Sequence, residues 1–97
     1  MKDADPVSKV LLVMGTKQRW HIIRCLLIGH TKFNQIKRDC GISSTALSRT
    51  LKYLEGEGLV AKRSEYGKMP ITEYSLTKKG RGFSKIVEAM ARAGSEI

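Results

Sequence analysis

The sequence predicts a mainly α, α+β fold of about five helices and one small antiparallel hairpin, in a single domain spanning residues 1–97. Three observations predict it. Apolar residues recur at helical spacing in a series of short stretches, set off by capping residues and glycines. Two strand-like runs, 59–65 and 71–76, flank a loop that holds Gly67 and Pro70. A chain of 97 residues with 41% hydrophobic content supports one modest core, and no linker, repeat or low-complexity tract divides it.

In chain order, Asp5 and Pro6 read as an N-cap followed by proline at the first helical position. Val7, Val10, Leu11 and Met14 then share one helical face, and Gly15 ends it. Thr16 caps a second helix, with Trp20, Ile23 and Leu27 on one face and Ile22 and Leu26 beside it, stopped by Gly29. A short extended piece is expected around Lys32 and Phe33. Asn34 is then the expected cap of a brief helix through Cys40, with Gly41 at its C-terminal end. Ser43 caps a fourth helix to about Glu57, whose inner stripe is Leu47, Leu51 and Leu54. In the second strand Tyr74 and Leu76 alternate with Glu73 and Ser75, as a strand with one wet face requires. Thr77 caps a last helix in which Phe83, Ile86, Val87 and Met90 repeat the helical spacing.

Lys and Arg number 18 against 9 Asp and Glu, for a formal charge of +9. A positive field on so small a body attracts polyanions, nucleic acid or an anionic surface, although basic residues also serve solubility. The longest apolar runs, 10–14 and 22–28, are too short to span a bilayer, and the first residues carry no apolar signal stretch. The expectation is a cytoplasmic protein with no membrane partner. Cys25 and Cys40 form no C-x-x-C pair, and their spacing with His21 and His30 fits no standard zinc pattern. Reduced, mostly buried thiols are expected, with no metal and no cofactor; the histidines read as surface or capping residues. For Cys40, Lys37 and Arg38 favour thiolate while the helix C-terminus opposes it. No Ser-His-Asp, Cys-His, paired-carboxylate or phosphate-loop arrangement is present, which argues against an enzyme.

Residues 34–57 carry the main functional signal. A short helix, a tight turn at Gly41 and Ile42, and a second capped helix form a helix-turn-helix, in which the first helix braces the second for the major groove. With the leucine stripe inward, the outer face is Thr45, Ser48, Arg49 and Lys52, with Ser43 and Ser44 at the N-terminal edge. That face is polar and basic and has no carboxylate. Arg49 suits bidentate reading of guanine, and Lys52 suits a phosphate. The free N–H groups of the helix N-terminus suit a phosphate too. Lys62, Arg63 and Lys68 place further cations on or beside the hairpin, either as a wing on the DNA backbone or minor groove, or as protection for an exposed strand edge.

These residues resemble the HxlR-type transcription regulators, winged helix-turn-helix relatives of the MarR group. The resemblance is carried by Lys32-Phe33-Asn34-Gln35-Ile36, Gly41-Ile42-Ser43, Leu47-Ser48, Leu51-Lys52-Tyr53-Leu54-Glu55, Gly58-Leu59-Val60, and the run from Pro70 through Glu73-Tyr74-Ser75-Leu76-Thr77 to Gly80. It implies a homodimer, paired through N- and C-terminal helices, on pseudo-palindromic double-stranded DNA near promoters. The stripes Val7, Val10, Leu11, Met14 and Phe83, Ile86, Val87, Met90 agree, as apolar faces surplus to a small core. The alternative is that both helices close the monomer's core. Many members carry Cys-Pro-Val near the start, with cysteines that in some cases sense oxidants. Here Asp5-Pro6-Val7 stands there, so that mechanism does not carry over. The common Gly-Lys-Trp entry to the second helix is also changed, with the tryptophan displaced to Trp20.

The function expected is therefore sequence-specific binding of double-stranded DNA as a homodimer. The alternative is a winged-helix module that recruits another protein without reading DNA. Related regulators also bind small effectors between the dimerisation helices and the DNA-binding core. Trp20, Phe83 and Met90 are placed to line such a pocket, or to be plain core.

Overall fold

The computed structural model describes residues 5–97; the first four residues of the predicted domain lie outside them. The order is α1 (Pro6–Val13), α2 (Lys17–Leu27), α3 (Phe33–Cys40), α4 (Ser44–Gly56), β1 (Val60–Glu65), β2 (Ile71–Leu76), α5 (Lys78–Arg81) and α6 (Ser84–Ser95). Five helices of two turns or more, one single-turn helix and a two-stranded antiparallel sheet make a winged helix-turn-helix. No helix among the described residues is long and apolar enough to cross a membrane.

The expected caps close most helices. The Asp5 carboxylate accepts from the Val7 N–H, Thr16 Oγ1 from Arg19 N–H, and Ser43 Oγ from Ala46 N–H. Gly41 takes φ 63°, the left-handed conformation that lets the chain turn sharply between α3 and α4. Gly80 is needed for space instead: a Cβ there would lie 2.1 Å from the Leu59 carbonyl oxygen. That contact seats α5 against the start of the wing, where Thr77 Oγ1 also donates to the Gly58 carbonyl at 2.6 Å.

Two elements depart from expectation. α3 begins at Phe33, not after Asn34, and its N-cap is Lys32 with no side-chain cap. One tertiary and one local bond set that entry: Tyr74 N–H donates to the Thr31 carbonyl, and Gln35 Oε1 accepts from Thr31 N–H. The extended piece expected at Lys32 and Phe33 is reduced to that one bond to β2. The last helix is split in two. Gly82 and Phe83 bond three residues back, to Lys79 and Gly80, and the tightened turn swings Phe83 onto Trp20, edge to face at 5.7 Å.

The core gathers Ile22, Ile23 and Leu26 of α2, Ile36 of α3, the three leucines of α4, Leu59 and Val60, Tyr74 and Leu76, with Met14 and Val87 at its edge. Its eight most enclosed side chains are under 2% exposed. Roughly 1.5–3 kcal/mol per fully buried aliphatic side chain holds α4 to this core and fixes its rotation. The hairpin pairs Val60 with Leu76 through Glu65 with Ile71, and its tip projects beyond the core.

Candidate nucleic-acid interface

α4 turns Leu47, Leu51 and Leu54 inward at 0–1% exposure. The 100° step per residue then sends Ser44, Thr45, Ser48, Arg49 and Lys52 to solvent, and all five are exposed. Ser43 is exposed as well, with its hydroxyl oxygen engaged as the cap. Among the described residues neither Arg49 nor Lys52 forms an ion pair. Both charges are therefore uncompensated by the protein, on a face without carboxylates.

Beside that helix lies a shallow concavity lined by Asn34, Lys37, Arg38, Gly41 and Ile42. It adds two cations from α3 at the turn of the motif. Lys37 and Arg38 lie outside the face that the α4 leucine stripe predicts; their signal in the sequence is a Lys-Arg pair on the helix that leads into the turn.

On the hairpin, Lys62, Arg63 and Lys68 are all exposed. They are not equivalent. Arg63 pairs with Glu65 at 2.9 Å and with Glu73 at 3.6 Å, across the strands. Glu73 also holds Lys32 at 3.2 Å. Lys32 first, and Arg63 after it, pull the Glu73 carboxyl below its ordinary range. Arg63 thus has local partners, while Lys62 and Lys68 have none among the described residues and carry the wing's free charge.

α4 is tied to α1 through one carbonyl. Val13 O, at the C-terminal end of α1, accepts from Tyr53 Oη at 2.9 Å and from the Arg19 guanidinium at 3.0 Å. The same guanidinium stacks on the Tyr53 ring, 3.8 Å from its centroid. These bonds satisfy a terminal helix carbonyl and complement the dipole of α1. They join three helices that sequence reasoning treated separately.

The residues expected at a partner surface divide. Val7 and Leu11 are 55% and 60% exposed, and Leu12, outside the expected stripe, is 61% exposed. α1 buries none of its own residues. Ile86 and Met90 on α6 are 39% and 41% exposed. Val10 and Phe83 are half-buried. Met14 and Val87 are corrected: at 1% and 9% exposure both belong to the chain's own core. Met14 sits at the C-cap of α1, where the chain turns inward to α2, and Val87 faces the side of α6 that packs on α2.

Trp20 and Met90 line an open groove of about 580 Å³ between α2 and α6, with Lys17, His21, Arg24 and Ala91. Phe83 lines a separate apolar depression of about 360 Å³ with Val10, Leu12 and Val13 of α1. The three residues expected in one pocket thus serve two. The two cysteines are side by side, with Sγ atoms 3.6 Å apart, Cys25 buried and Cys40 half-buried. Burial, then the hydrogen bond with Cys40, pushes the Cys25 thiol up to about 12; burial also raises Cys40.

The HxlR-like helix-turn-helix family model matches residues 13–97. The HTH-type transcriptional regulator YybR of Bacillus subtilis is 33% identical over 94 residues, covering 96% of this chain and 75% of its own. Among solved structures, the redox regulator HypR in its reduced form matches with a TM-score of 0.87 at 32% identity, over 95% of this chain and 92% of that one. A protein described as a MarR-family transcriptional regulator, from Porphyromonas gingivalis W83, matches with a TM-score of 0.88 at 30% identity, over 99% and 95%. An open cationic recognition helix, a basic wing and a family match over most of the length agree, and the chain belongs to the HxlR-like helix-turn-helix family of transcriptional regulators, not to a family of enzymes.

Proposed function

We propose that two copies of this chain bind one pseudo-palindromic stretch of double-stranded DNA, read its sequence with α4, and regulate transcription from it. The observation that carries the reading is the outer face of α4: Thr45, Ser48, Arg49 and Lys52 exposed, cationic and unpaired, opposite three fully buried leucines. Arg49 is the base-reading side chain, suited to guanine O6 and N7; Lys52 holds a phosphate, and Ser43 and Ser44 sit where the α4 N-terminus meets the backbone. Lys68 contacts the backbone or minor groove from the wing, and Arg63 joins it by exchanging its exposed pairs with Glu65 and Glu73 for a phosphate.

The dimer in this reading is supported by the exposed apolar residues Val7, Leu11 and Leu12 on α1 and Ile86 and Met90 on α6. A symmetric pairing of these helices covers Val7, Leu11 and Leu12 and sets two copies of α4 about 34 Å apart, in successive major grooves. Selection of bound duplexes from fragmented genomic DNA, followed by footprinting, tests the reading. The expected footprint has two inverted half-sites one helical turn apart. Arg49→Ala should relax base preference at one position in each half-site; an equal loss on every sequence would reassign Arg49 to a phosphate. Failure to retain any duplex at low salt would favour the protein-recruiting alternative.

A further inference from the structure

The C-terminal ends of α2 and α3 bring together three metal-ligating side chains, with a second thiol beside one of them, that the family's DNA-binding role does not use. Cys25 lies in the last turn of α2. The chain then folds back on itself, with His30 N–H donating to the Cys25 carbonyl at 3.0 Å, which carries the imidazole over the thiol. Asp39 and Cys40 end α3 opposite. One ligand atom each from Cys25, His30 and Asp39 lies within 4.8 Å of the others, and His30 Nδ1 abuts the Asp39 carboxylate. Cys40 Sγ approaches Cys25 Sγ to 3.6 Å. Two thiolates on a tetrahedral zinc ion, each about 2.3 Å from the metal, are about 3.8 Å apart. The sulfurs therefore stand at nearly the separation that such an ion imposes.

We propose that Cys25, Cys40, His30 and Asp39 form a binding site for a thiophilic divalent cation of the zinc class. The donor set decides the class. Two soft sulfurs exclude magnesium and calcium, while an imidazole and a carboxylate favour a tetrahedral divalent ion over copper(I). The remaining adjustment is small for three of the donors, since Cys25, His30 and Asp39 already lie within 4.8 Å of one another, against roughly 3.3–3.8 Å on the metal; Cys40 joins them through its sulfur, 3.6 Å from that of Cys25. Binding displaces the thiol protons and changes no oxidation state. The site joins α2 to α3 one residue before Gly41, so the ion braces the first helix of the recognition motif at its turn.

Cobalt(II) titration of the reduced full chain tests this. One equivalent should produce a thiolate-to-cobalt charge-transfer band with the visible bands of a tetrahedral ion, both abolished by added zinc. His30→Gln and Cys40→Ala, at half-buried positions, should keep the parent's circular dichroism and melting. Each should weaken zinc binding by at least about tenfold, the smallest loss seen even for an outer partner of a ligand. Absence of the charge-transfer band in the reduced chain overturns the proposal, as does a band unchanged in both variants. A chain that only forms a Cys25–Cys40 disulfide, and takes up no cobalt once reduced, also overturns it.

Discussion

At the scale of single residues, a few side chains with defined partners tie the elements together. Tyr53 donates to the Val13 carbonyl and stacks under Arg19, so it links α1 to α4. Tyr53→Phe removes the hydroxyl but leaves Arg19 on that carbonyl. Chemical denaturation should show a loss of about 1 kcal/mol, with an unchanged m-value. Gly80→Ala is harsher, because the Cβ meets the Leu59 backbone rather than a movable side chain. A loss of about 2–3 kcal/mol is expected. Glu73 gives a pH dependence of known sign. Its folded pKa is depressed by Lys32 and Arg63, so its contribution is present above the unfolded pKa and fades as pH falls through the folded value. Glu73→Gln should therefore lower stability slightly at neutral pH, leave it nearly unchanged at acid pH where the parent carboxyl is protonated, and so flatten the acid limb of the stability profile. Exposed positions of α4 were legible because three leucines fix its rotation. The meeting of Cys25, His30, Asp39 and Cys40 was not, since sequence spacing reveals ligands within one element but not across a seam between two.

At the scale of elements, local chemistry and tertiary contacts divided the work. α1, α2 and α4 begin at the residues their capping side chains announce, and β2 spans the run its alternation marks out. The entry to α3 was misread because Asn34 has the composition of a cap, yet Tyr74 and Gln35 bind Thr31 and start the helix earlier. The break at Gly82 was missed because Thr77 through Met90 keeps helical spacing in projection. Packing of Phe83 on Trp20 overrides it. Met14 and Val87 were placed on the outer stripe because a helical wheel does not know where the chain reverses. The exposed part of that stripe makes an element-scale prediction. Leu11→Asp touches no core residue, so circular dichroism should remain that of the parent. Sedimentation should nonetheless move the chain from dimer to monomer, and half-site cooperativity on DNA should disappear. A Leu11→Asp protein that sediments as the parent does would place the partner surface elsewhere.

At the scale of the whole molecule, shape and charge point the same way. The Cα radius of gyration is 14.3 Å, against about 12.5 Å for an average compact chain of this length, and the long axis is 51 Å. From residue 88 to residue 97 every position is exposed, so the end of α6 reaches away from the core. An extended terminal helix and an uncovered α1 suit a body completed by its twin. Within a net charge of +9, Lys37 and Arg38 of α3, Arg49 and Lys52 of α4, and Lys62 and Lys68 of the hairpin form no ion pair among the described residues. The central claim is that this surface grips duplex DNA through the outer side of α4. Fluorescence anisotropy on a selected genomic duplex, repeated across salt concentrations, measures it most directly. The account predicts two chains per duplex and a log K that falls linearly with log salt, with a slope near −0.9 per neutralised phosphate. Lys52→Ala should reduce that slope by about one unit per chain. An affinity indifferent to salt, or a slope that Lys52→Ala leaves untouched, would contradict it.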